Sequence, residues 1–338
     1  MQEGLSEKRL QLIETMSAQS PKREDAEVIV RPLQENDLPE ADRICRLAYG
    51  TFLEMPDPMT VFGDAEYVRT RWLAGPDAAF GAEVNDELVG SIFATSWGSF
   101  GFFGPLSVRP DIWDRGIAKR MLERTMELFD KWGTKHIALL TFGNSGKHIA
   151  LYQKFGFWPR FLTPIMSKAV EQKPQAVDWS RFSEVQERER VECLDACSNL
   201  TDTIYKGLDV RREIQAVGAQ KLGETVLLSD RKKLVGLAVC HCGAGSEAGS
   251  GNCYVKFAAV RPSENVRMDF ERLLDACEML ATERGMARLV AGMNVARHEA
   301  YRVMIERRFR LDFQGVVMQK PNEPAYNRPD VFVIDDLR

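Results

Sequence analysis

The chain has 338 residues, a formal net charge of −4 and a sequence pI near 5.8. Its length predicts two domains, because about 150 residues is typical of one domain with its own core. The slight acidity argues against a broad nucleic-acid-binding surface, which normally carries a strong basic excess. Cationic or neutral substrates fit this charge better.

The sequence predicts a cytoplasmic protein with no membrane partner. The N-terminus lacks an apolar signal core, and no stretch approaches the roughly 18 uncharged apolar residues of a membrane span. Seven cysteines without framework-like spacing fit reduced thiols. The tightest group, Cys240, His241, Cys242 and the later Cys253, has no fourth ligand nearby, so we expect core side chains flanking a hairpin rather than a zinc site.

In chain order, the first predicted element is a short amphipathic helix over residues 5–16. Leu5, Leu12, Ile13 and Met16 share one helical face ahead of a polar hinge at 20–23. Such a helix predicts docking or an oligomer contact, for example in a homodimer.

The first domain is predicted to alternate strands and helices. Its strands are expected at 28–31, 78–84, 87–97, 102–108 and 136–141 and after Phe157, and its helices at 37–48, 64–73, 117–133 and 147–155. The third helix carries the apolar spacing of a face packed on a sheet. A mixed α/β fold follows from this pattern.

A near-repeat then predicts that the fold occurs twice. Residues 108–133 reappear without a gap at 260–285, and 88–90 are echoed by 234–236. Asn144, His148 and Ala150 are matched by Asn294, His298 and Ala300. We therefore predict an N-terminal extension at 1–27, a first domain at 28–170, a linker at 171–180 and a second domain at 181–338.

Small residues at the start of the third helix predict an anion site. A helix N-terminus offers unpaired N–H groups and a positive dipole end, and Gly116 and Ala118 let an anion approach the backbone. The nearby basic side chains could add charge or could simply be solvated. The second copy has Met268 and Phe270 at these two positions, which would crowd a phosphate.

Two segments resemble the signatures of the GNAT N-acetyltransferases. The stretch R-P-x-x-W-x-x-G-x-A, ending at Ala118, resembles their acetyl-CoA pyrophosphate loop, Q/R-x-x-G-x-G/A, and departs from it at Trp113. Residues 144–157 resemble their second signature, N-x-x-A-x-x-L-Y-x-x-x-G-F. The resemblance implies two tandem GNAT folds, acetyl-CoA as co-substrate, and cofactor contacts from Leu106, Ser107, Val108, Asp114, Arg115, Gly116, Ile117, Ala118, Lys119 and Asn144.

The resemblance also implies direct attack of a primary amine on the thioester. Backbone N–H groups near Val108 would hold the developing oxyanion, on a strand that in this family splays from its neighbour. Tyr152 would protonate the departing thiolate; the alternative is a packed helix residue with a capped hydroxyl. Arg302 stands at the matching position of the second copy, which predicts a degenerate domain.

The attacking amine must also lose a proton to a general base. The strand before the anion site offers none, because it contains no Asp, Glu or His. The acidic candidates are Glu54, Asp57, Asp64 and Glu66, each of which could instead be solvated. Glu54 and Asp57 lie in the segment 53–59, where this fold usually forms its acceptor pocket, and are predicted to contact substrate. His148 is predicted to be a helix-surface residue.

Four strand aromatics, Trp97, Phe100, Phe102 and Phe103, could line the pocket or fill the core or the interdomain seam. The predicted activity is acetyl transfer to an amine of a small molecule or peptide. The alternatives are a non-catalytic acyl-CoA-binding sensor and a second domain that binds another acyl donor.

Overall fold

The computed structural model describes residues 27–170, 177–231 and 233–338. The predicted N-terminal helix, its hinge and most of the predicted linker lie outside these ranges. The described residues form a mixed α/β fold with one 13-stranded sheet and eight α-helices, which confirms the predicted fold class. None of these helices is long and apolar enough to cross a membrane.

The first half of the chain contributes six strands and four helices. They are β1 (Val28–Pro32), α1 (Leu38–Phe52), α2 (Val68–Ala74), β2 (Ala79–Val84), β3 (Glu87–Trp97), β4 (Phe100–Val108), α3 (Ile117–Trp132), β5 (His136–Phe142), α4 (Gly146–Gln153) and β6 (Trp158–Ala169). Every element predicted in this half is present, with ends that differ by a few residues.

The second half follows the same order and adds a short final strand. Its elements are β7 (Ser180–Arg181), α5 (Arg190–Asp202), α6 (Arg211–Gln220), β8 (Gly223–Asp230), β9 (Lys233–Gly243), β10 (Gly249–Val260), α7 (Val266–Glu283), β11 (Arg288–Gly292), α8 (His298–Glu306), β12 (Arg310–Lys320) and β13 (Val333–Ile334).

The strand pairings repeat as well. In each half the first four strands pair antiparallel in sequence order, and the fourth and fifth pair in parallel. A parallel pair needs a crossover connection, and α3 and α7 supply it in the two halves. This shared topology supports the duplication that the sequence repeat predicts.

The two halves exchange their last long strands. β12 lies between β5 and β6, whereas β6 lies between β12 and β11. Phe142 of β5 is therefore opposite Gly315 of β12, and Ile165 of β6 is opposite Gly292 of β11. The prediction that strands after Phe157 complete the first unit is wrong in this respect, because the strand next to β5 comes from the other half. Neither half therefore has a continuous sheet of its own, because β12 separates β5 from β6 and β6 separates β12 from β11.

Helix α3 owes its position to a continuous apolar face. Ile117, Met121, Leu122 and Phe129 are buried against the sheet, as the periodicity predicts. The helix ends at Gly133, whose φ of 68° is the left-handed conformation common after a last helical turn. The buried face positions the first turn of α3, which begins at Ile117, and Gly133 ends the helix. The first turn lies at the site described below.

A second core joins the two halves. Trp97, Phe100 and Phe102 are at most 1% exposed and pack in one cluster with residues of α5 and α6. Trp97 also donates from its indole nitrogen to a carboxylate oxygen of Glu213 at 3.2 Å. Of the two predicted alternatives for these three aromatics, the seam between the halves is the observed one.

A buried charge network reinforces this seam. Arg71 of the first half pairs with Glu247 of the second at 3.0 Å, and both side chains are at most 3% exposed. Lys256 contacts the same carboxylate at 2.8 Å and reaches Glu213 at 3.2 Å. Buried charges must be paired in this way, because desolvation is otherwise costly. The two halves are thus joined by hydrogen-bonded ions as well as by apolar packing.

Candidate active site

A cleft opens where β4 and β5 diverge. The two strands pair only between Phe100 and Phe102 of β4 and His136 and Ala138 of β5. Beyond that point, residues 103–108 of β4 and 140–142 of β5 line a cleft of about 820 Å³, together with α1, α4 and the start of α3. We call this space the main cleft. The predicted splay of the fourth strand from its neighbour is therefore present.

The start of α3 forms one wall of the main cleft. All six residues from Asp114 to Lys119 line it. Gly116 has a φ of 76°, and a Cβ built on it would have no neighbour within 4 Å. The first hydrogen bond within the helix runs from the Arg120 amide to the Gly116 carbonyl at 3.2 Å. The amides of residues 117–119 therefore have no partner within the helix and can bind a ligand. These groups fit an anion such as a diphosphate.

Trp113 connects this loop to the end of β4. Its indole nitrogen donates to the Val108 carbonyl oxygen at 2.6 Å, which ties the loop to the end of β4. Lys147 lies over the Trp113 ring, 5.7 Å from its centroid, and pairs with Asp114 at 2.7 Å. The departure from the family pattern at this position therefore has a structural role in this chain. Trp113 anchors the loop where the family has Gln or Arg.

The end of β4 provides free amides. The Arg109 amide donates to Val89 of β3 at 2.8 Å. Because alternate residues of a strand direct their N–H groups to opposite sides, the amides of Leu106 and Val108 point away from β3, towards the gap between β4 and β5. Leu106, Ser107 and Val108 all line the main cleft. This is the arrangement that an oxyanion site requires.

Tyr152 lies on α4 and lines the same cleft. Its side chain is only 8% exposed, and its ring is 5.9 Å from that of Phe103. Burial raises the pKa of its phenol, which therefore stays protonated at neutral pH and can act as a proton donor. Of the four strand aromatics considered from sequence, Phe103 is the one that reaches the cleft.

The structure also brings to the main cleft side chains that the sequence did not single out. Tyr49, Phe52, Phe62 and Tyr67 enter it from the first helix and the segment after it. Tyr49 is half-buried, and desolvation raises the pKa of its phenol, with Tyr152 among the other groups that act on it. His148, predicted at the helix surface, is half-buried and lines the cleft. No local sequence signal marks residues that only tertiary packing brings together.

The acidic candidates do not line the main cleft. Glu54 lines a smaller cleft of about 650 Å³ that shares Phe52, Phe142 and Phe313 with the main one. Asp57 caps a short helical turn by accepting from the Met59 amide at 3.0 Å.

Asp64 and Glu66 face the second half instead. Asp64 accepts a hydrogen bond from the Ser250 amide at 2.8 Å, and the Glu66 amide donates to the Ser246 carbonyl at 3.0 Å. From their position after the first helix, both are predicted candidates for the base. Their contacts place them in the seam between the halves.

Asn144 is exposed and also lies at the smaller cleft. The helix that follows is capped by Ser145, whose hydroxyl accepts from the His148 amide at 3.4 Å. The predicted contact of Asn144 with the cofactor stays a prediction, whereas the other predicted cofactor residues line the main cleft.

The second half closes the main cleft. Phe313 lies on β12, the exchanged strand, and its ring is 5.5 Å from that of Phe142. Leu337 and Arg338 also line the cleft, and Arg71 donates to the Arg338 main-chain oxygen. The exchanged strand and the last residues of the chain thus form a wall that the first half does not supply.

The corresponding region of the second half lacks these features. Helix α7 begins at Val266, two residues before the position that matches Gly116, so a helical turn replaces the loop. Phe270, which matches Ala118, is fully buried and packs on Phe332 at 5.3 Å. Arg302, which matches Tyr152, is half-exposed and lies near Glu299 and Glu306.

The cysteines carry no metal ligand set in the described part of the chain. The described residues include no group of three or more His, Cys, Asp or Glu side chains that could hold a metal ion. Cys242 and Cys253 lie on neighbouring strands with their sulfur atoms 3.6 Å apart, and both are free thiols.

Comparison with known proteins agrees with this geometry. Residues 46–157 match the model of the acetyltransferase (GNAT) family, and no curated protein sequence matches the chain. A Pyrococcus horikoshii protein is similar in structure, with a TM-score of 0.62, 15% identity, and 90% of this chain and 93% of that one covered. A GCN5-related N-acetyltransferase from Sphaerobacter thermophilus has a TM-score of 0.53 and 13% identity, with coverages of 87% and 95%.

A third similar structure is the GCN5-related glucosamine N-acetyltransferase region of a fungal multi-domain β-N-acetylglucosaminidase. Its TM-score is 0.60 at 12% identity, with 87% of this chain and 38% of that chain covered. These identities are low enough that the neighbours establish the fold alone. The chain has the GNAT acyl-CoA N-acyltransferase fold, and its residues 46–157 match the model of the acetyltransferase (GNAT) family.

Proposed function

We propose that the protein transfers an acetyl group from acetyl-CoA to a primary amine of a small molecule or peptide. One observation carries this proposal: a single cleft is lined by the open helix start at Gly116, the free amides of the splayed strand and the buried phenol of Tyr152. Acetyl transfer by direct attack needs a diphosphate cradle, oxyanion donors and an acid for the leaving thiolate.

The residues divide the reaction between them. The amides of 117–119, with Lys119 and Arg115 beside them, hold the diphosphate of acetyl-CoA. The amides of Leu106 and Val108 hold the thioester oxygen as negative charge develops on it. The amine nitrogen bonds to the carbonyl carbon, the carbon–sulfur bond breaks, and Tyr152 gives its proton to the sulfur.

The second half is proposed to have a supporting role. Its loop is replaced by a helical turn, and Phe270 fills the place of a small residue, so we propose that it is a degenerate copy of the same fold. It contributes Phe313 and Arg338 to the cleft and takes part in the seam. The proposed domain limits along the chain are 28–170 and 181–338, and the exchange of β6 and β12 interleaves the two units in space.

The cellular setting is also a proposal. Seven free cysteines are consistent with a reducing cytoplasm. A homodimer contact through the segment 5–16 can be tested by comparing the mass in solution of the full chain with that of a chain lacking residues 1–26.

The activity is tested by measuring CoA release from acetyl-CoA with a panel of amines. The Y152F variant is expected to lower turnover by about 100-fold while leaving the dissociation constant of acetyl-CoA within about 2-fold. Wild-type binding of acetyl-CoA without turnover of any amine would support the alternative, an acyl-CoA-binding sensor. Full turnover by Y152F would refute the acid role of this tyrosine.

A further inference from the structure

The proposed reaction needs a group that takes a proton from the amine, and the main cleft offers few. Among the described residues that line it, Asp114 is the one with a carboxylate side chain. That carboxylate is paired with Lys147 at 2.7 Å, beside the diphosphate loop. This position assigns Asp114 to the cofactor end of the cleft, and a group on another wall is the better candidate for the proton acceptor.

His148 is the imidazole that lines the main cleft. It lies four residues before Tyr152 on α4, and residues at this spacing project from the same face of a helix. Its ring is 4.9 Å from that of Phe52 and 6.2 Å from that of Phe142. Aromatic rings of α1 and β5 thus hold the imidazole at the wall of the cleft, one helical turn from the proposed acid.

His148 is also a departure from the family signature. In N-x-x-A-x-x-L-Y the alanine lies three residues before the leucine. Counting back from Leu151 therefore places His148 at the position of that alanine. A group able to bind a proton stands where the pattern has a methyl group.

The surroundings of His148 keep its imidazole neutral. Burial, and secondarily the charge of Lys147, lower its pKa below the usual 6.5. The other titratable side chains that line the main cleft are the phenols of Tyr49, Tyr67 and Tyr152, the carboxylate of Asp114, and the cationic groups of Arg115, Lys119, Lys147, Lys154 and Arg338. Asp114 is paired, and Glu54 lies in the smaller cleft. At neutral pH the imidazole can therefore accept a proton without first losing one.

We propose that His148 accepts the proton of the acceptor nitrogen as that nitrogen attacks the thioester, a role that rests on the proposed function. The carbon–nitrogen bond forms and the carbon–sulfur bond breaks. The proton of the nitrogen passes to the imidazole, and Tyr152 supplies a different proton to the sulfur. The two groups act on opposite ends of the reacting bonds from adjacent turns of one helix.

This assignment also narrows the class of acceptor. The nitrogen attacks only as a neutral amine, and at neutral pH the neutral fraction is far larger for an α-amine, whose ammonium pKa is about 7.7–8.0, than for an alkylamine of ammonium pKa about 10.4. A weak base such as a buried imidazole does not offset that difference. The cleft wall around His148 is aromatic. The acceptor is therefore an amine of low basicity on an apolar or aromatic body.

The test compares H148Q with H298Q. His298 matches His148 in the second half, but it lies on the solvent side of α8, does not line the main cleft, and has a side chain that is 61% exposed. Phenylalanine amide and hexylamine serve as acceptors, and acetyl-CoA affinity is measured by calorimetry. H148Q is expected to lower kcat with phenylalanine amide by at least about 100-fold. Acetyl-CoA affinity is expected to stay within about 2-fold of wild type, and H298Q to behave as wild type.

Two further readouts separate a chemical role from a structural one. Added imidazole should restore turnover to H148Q in proportion to its concentration. H148Q should also lose the acid limb of the kcat/KM profile. Turnover by H148Q above half of the wild-type value, or a parallel loss of acetyl-CoA affinity, would overturn the assignment. If wild-type protein binds acetyl-CoA and acetylates neither amine nor any other of a wider panel, the proposed function fails and this role fails with it.

Discussion

Gly116 allows the anion cradle to be separated from the stability of the helix that carries it. Its φ of 76° is a left-handed conformation, which costs an L residue about 1–2 kcal/mol. A Cβ built there meets no atom within 4 Å, so alanine adds strain but no clash. G116A is therefore expected to lower the free energy of unfolding by about 1 kcal/mol and no more than about 2.

Gly133, at the other end of the same helix, is a matched control. Its φ is 68°, its Cβ would also meet no atom within 4 Å, and it does not line the main cleft. G133A should therefore cost about the same stability as G116A. In urea unfolding the two variants should agree within about 0.5 kcal/mol.

The two positions should differ sharply in binding. A glutamate at 116 would place its side chain and charge where the diphosphate meets the helix start. The loss of two charge-assisted hydrogen bonds, each worth about 1.5–3 kcal/mol, weakens acetyl-CoA binding by at least about 100-fold. Calorimetry should give this loss for G116E and none for G133E. Equal acetyl-CoA affinity in G116E and wild type would refute the cradle.

Three other predictions follow from the seam and the exchanged strand. Breaking the buried pair of Arg71 and Glu247 with E247Q should cost about 3–5 kcal/mol in urea unfolding, because Arg71 is left without its carboxylate. Burial opposes ionisation of Glu247, yet Arg71 and Lys256 hold its pKa below the usual 4.5. The stabilisation from this carboxylate is therefore present above about pH 4.5 and is lost as the pH falls. E247Q should flatten this dependence of the unfolding free energy on pH, and an unchanged pH profile would contradict the assignment. F313A removes part of the cleft wall that β12 contributes. It should raise KM for the best amine about 10-fold and leave acetyl-CoA affinity unchanged. An unchanged KM would show that the exchanged strand does not contact the acceptor.

The sequence predicts those parts of the site that depend on local conformation. Gly116 at a strand-to-helix turn and Tyr152 in a helical motif carry their signals in neighbouring residues. Both residues line the main cleft. The alternation of β4 likewise separates Phe103, which faces the cleft, from Phe102, which is buried in the seam.

The strand exchange could not be predicted in this way. Periodicity identifies a strand and its buried face, but it does not identify the neighbouring strand. β6 and β12 are equivalent in the two halves, so either could close either sheet. The observed pairing of β12 with β5 depends on contacts between residues more than 170 positions apart.

The same reason explains why the acidic candidates for the base were poorly placed. Asp64 and Glu66 follow the first helix and are candidates for the base by that position, but their contacts are with the loop after β9 and the start of β10 in the second half. The sequence predicts His148 at a helix surface because the residues of its own helical turn do not reveal the tertiary contacts with Phe52 and Phe142. Tertiary neighbours turn a surface position into a cleft wall.

The most direct test of the central claim is a crystal structure with acetyl-CoA bound. The account predicts that the diphosphate accepts hydrogen bonds from the amides at the start of α3, and that the thioester lies between the Val108 amide and the Tyr152 hydroxyl. Acetyl-CoA bound instead against α7 in the second half, or with its diphosphate away from Gly116, would contradict it.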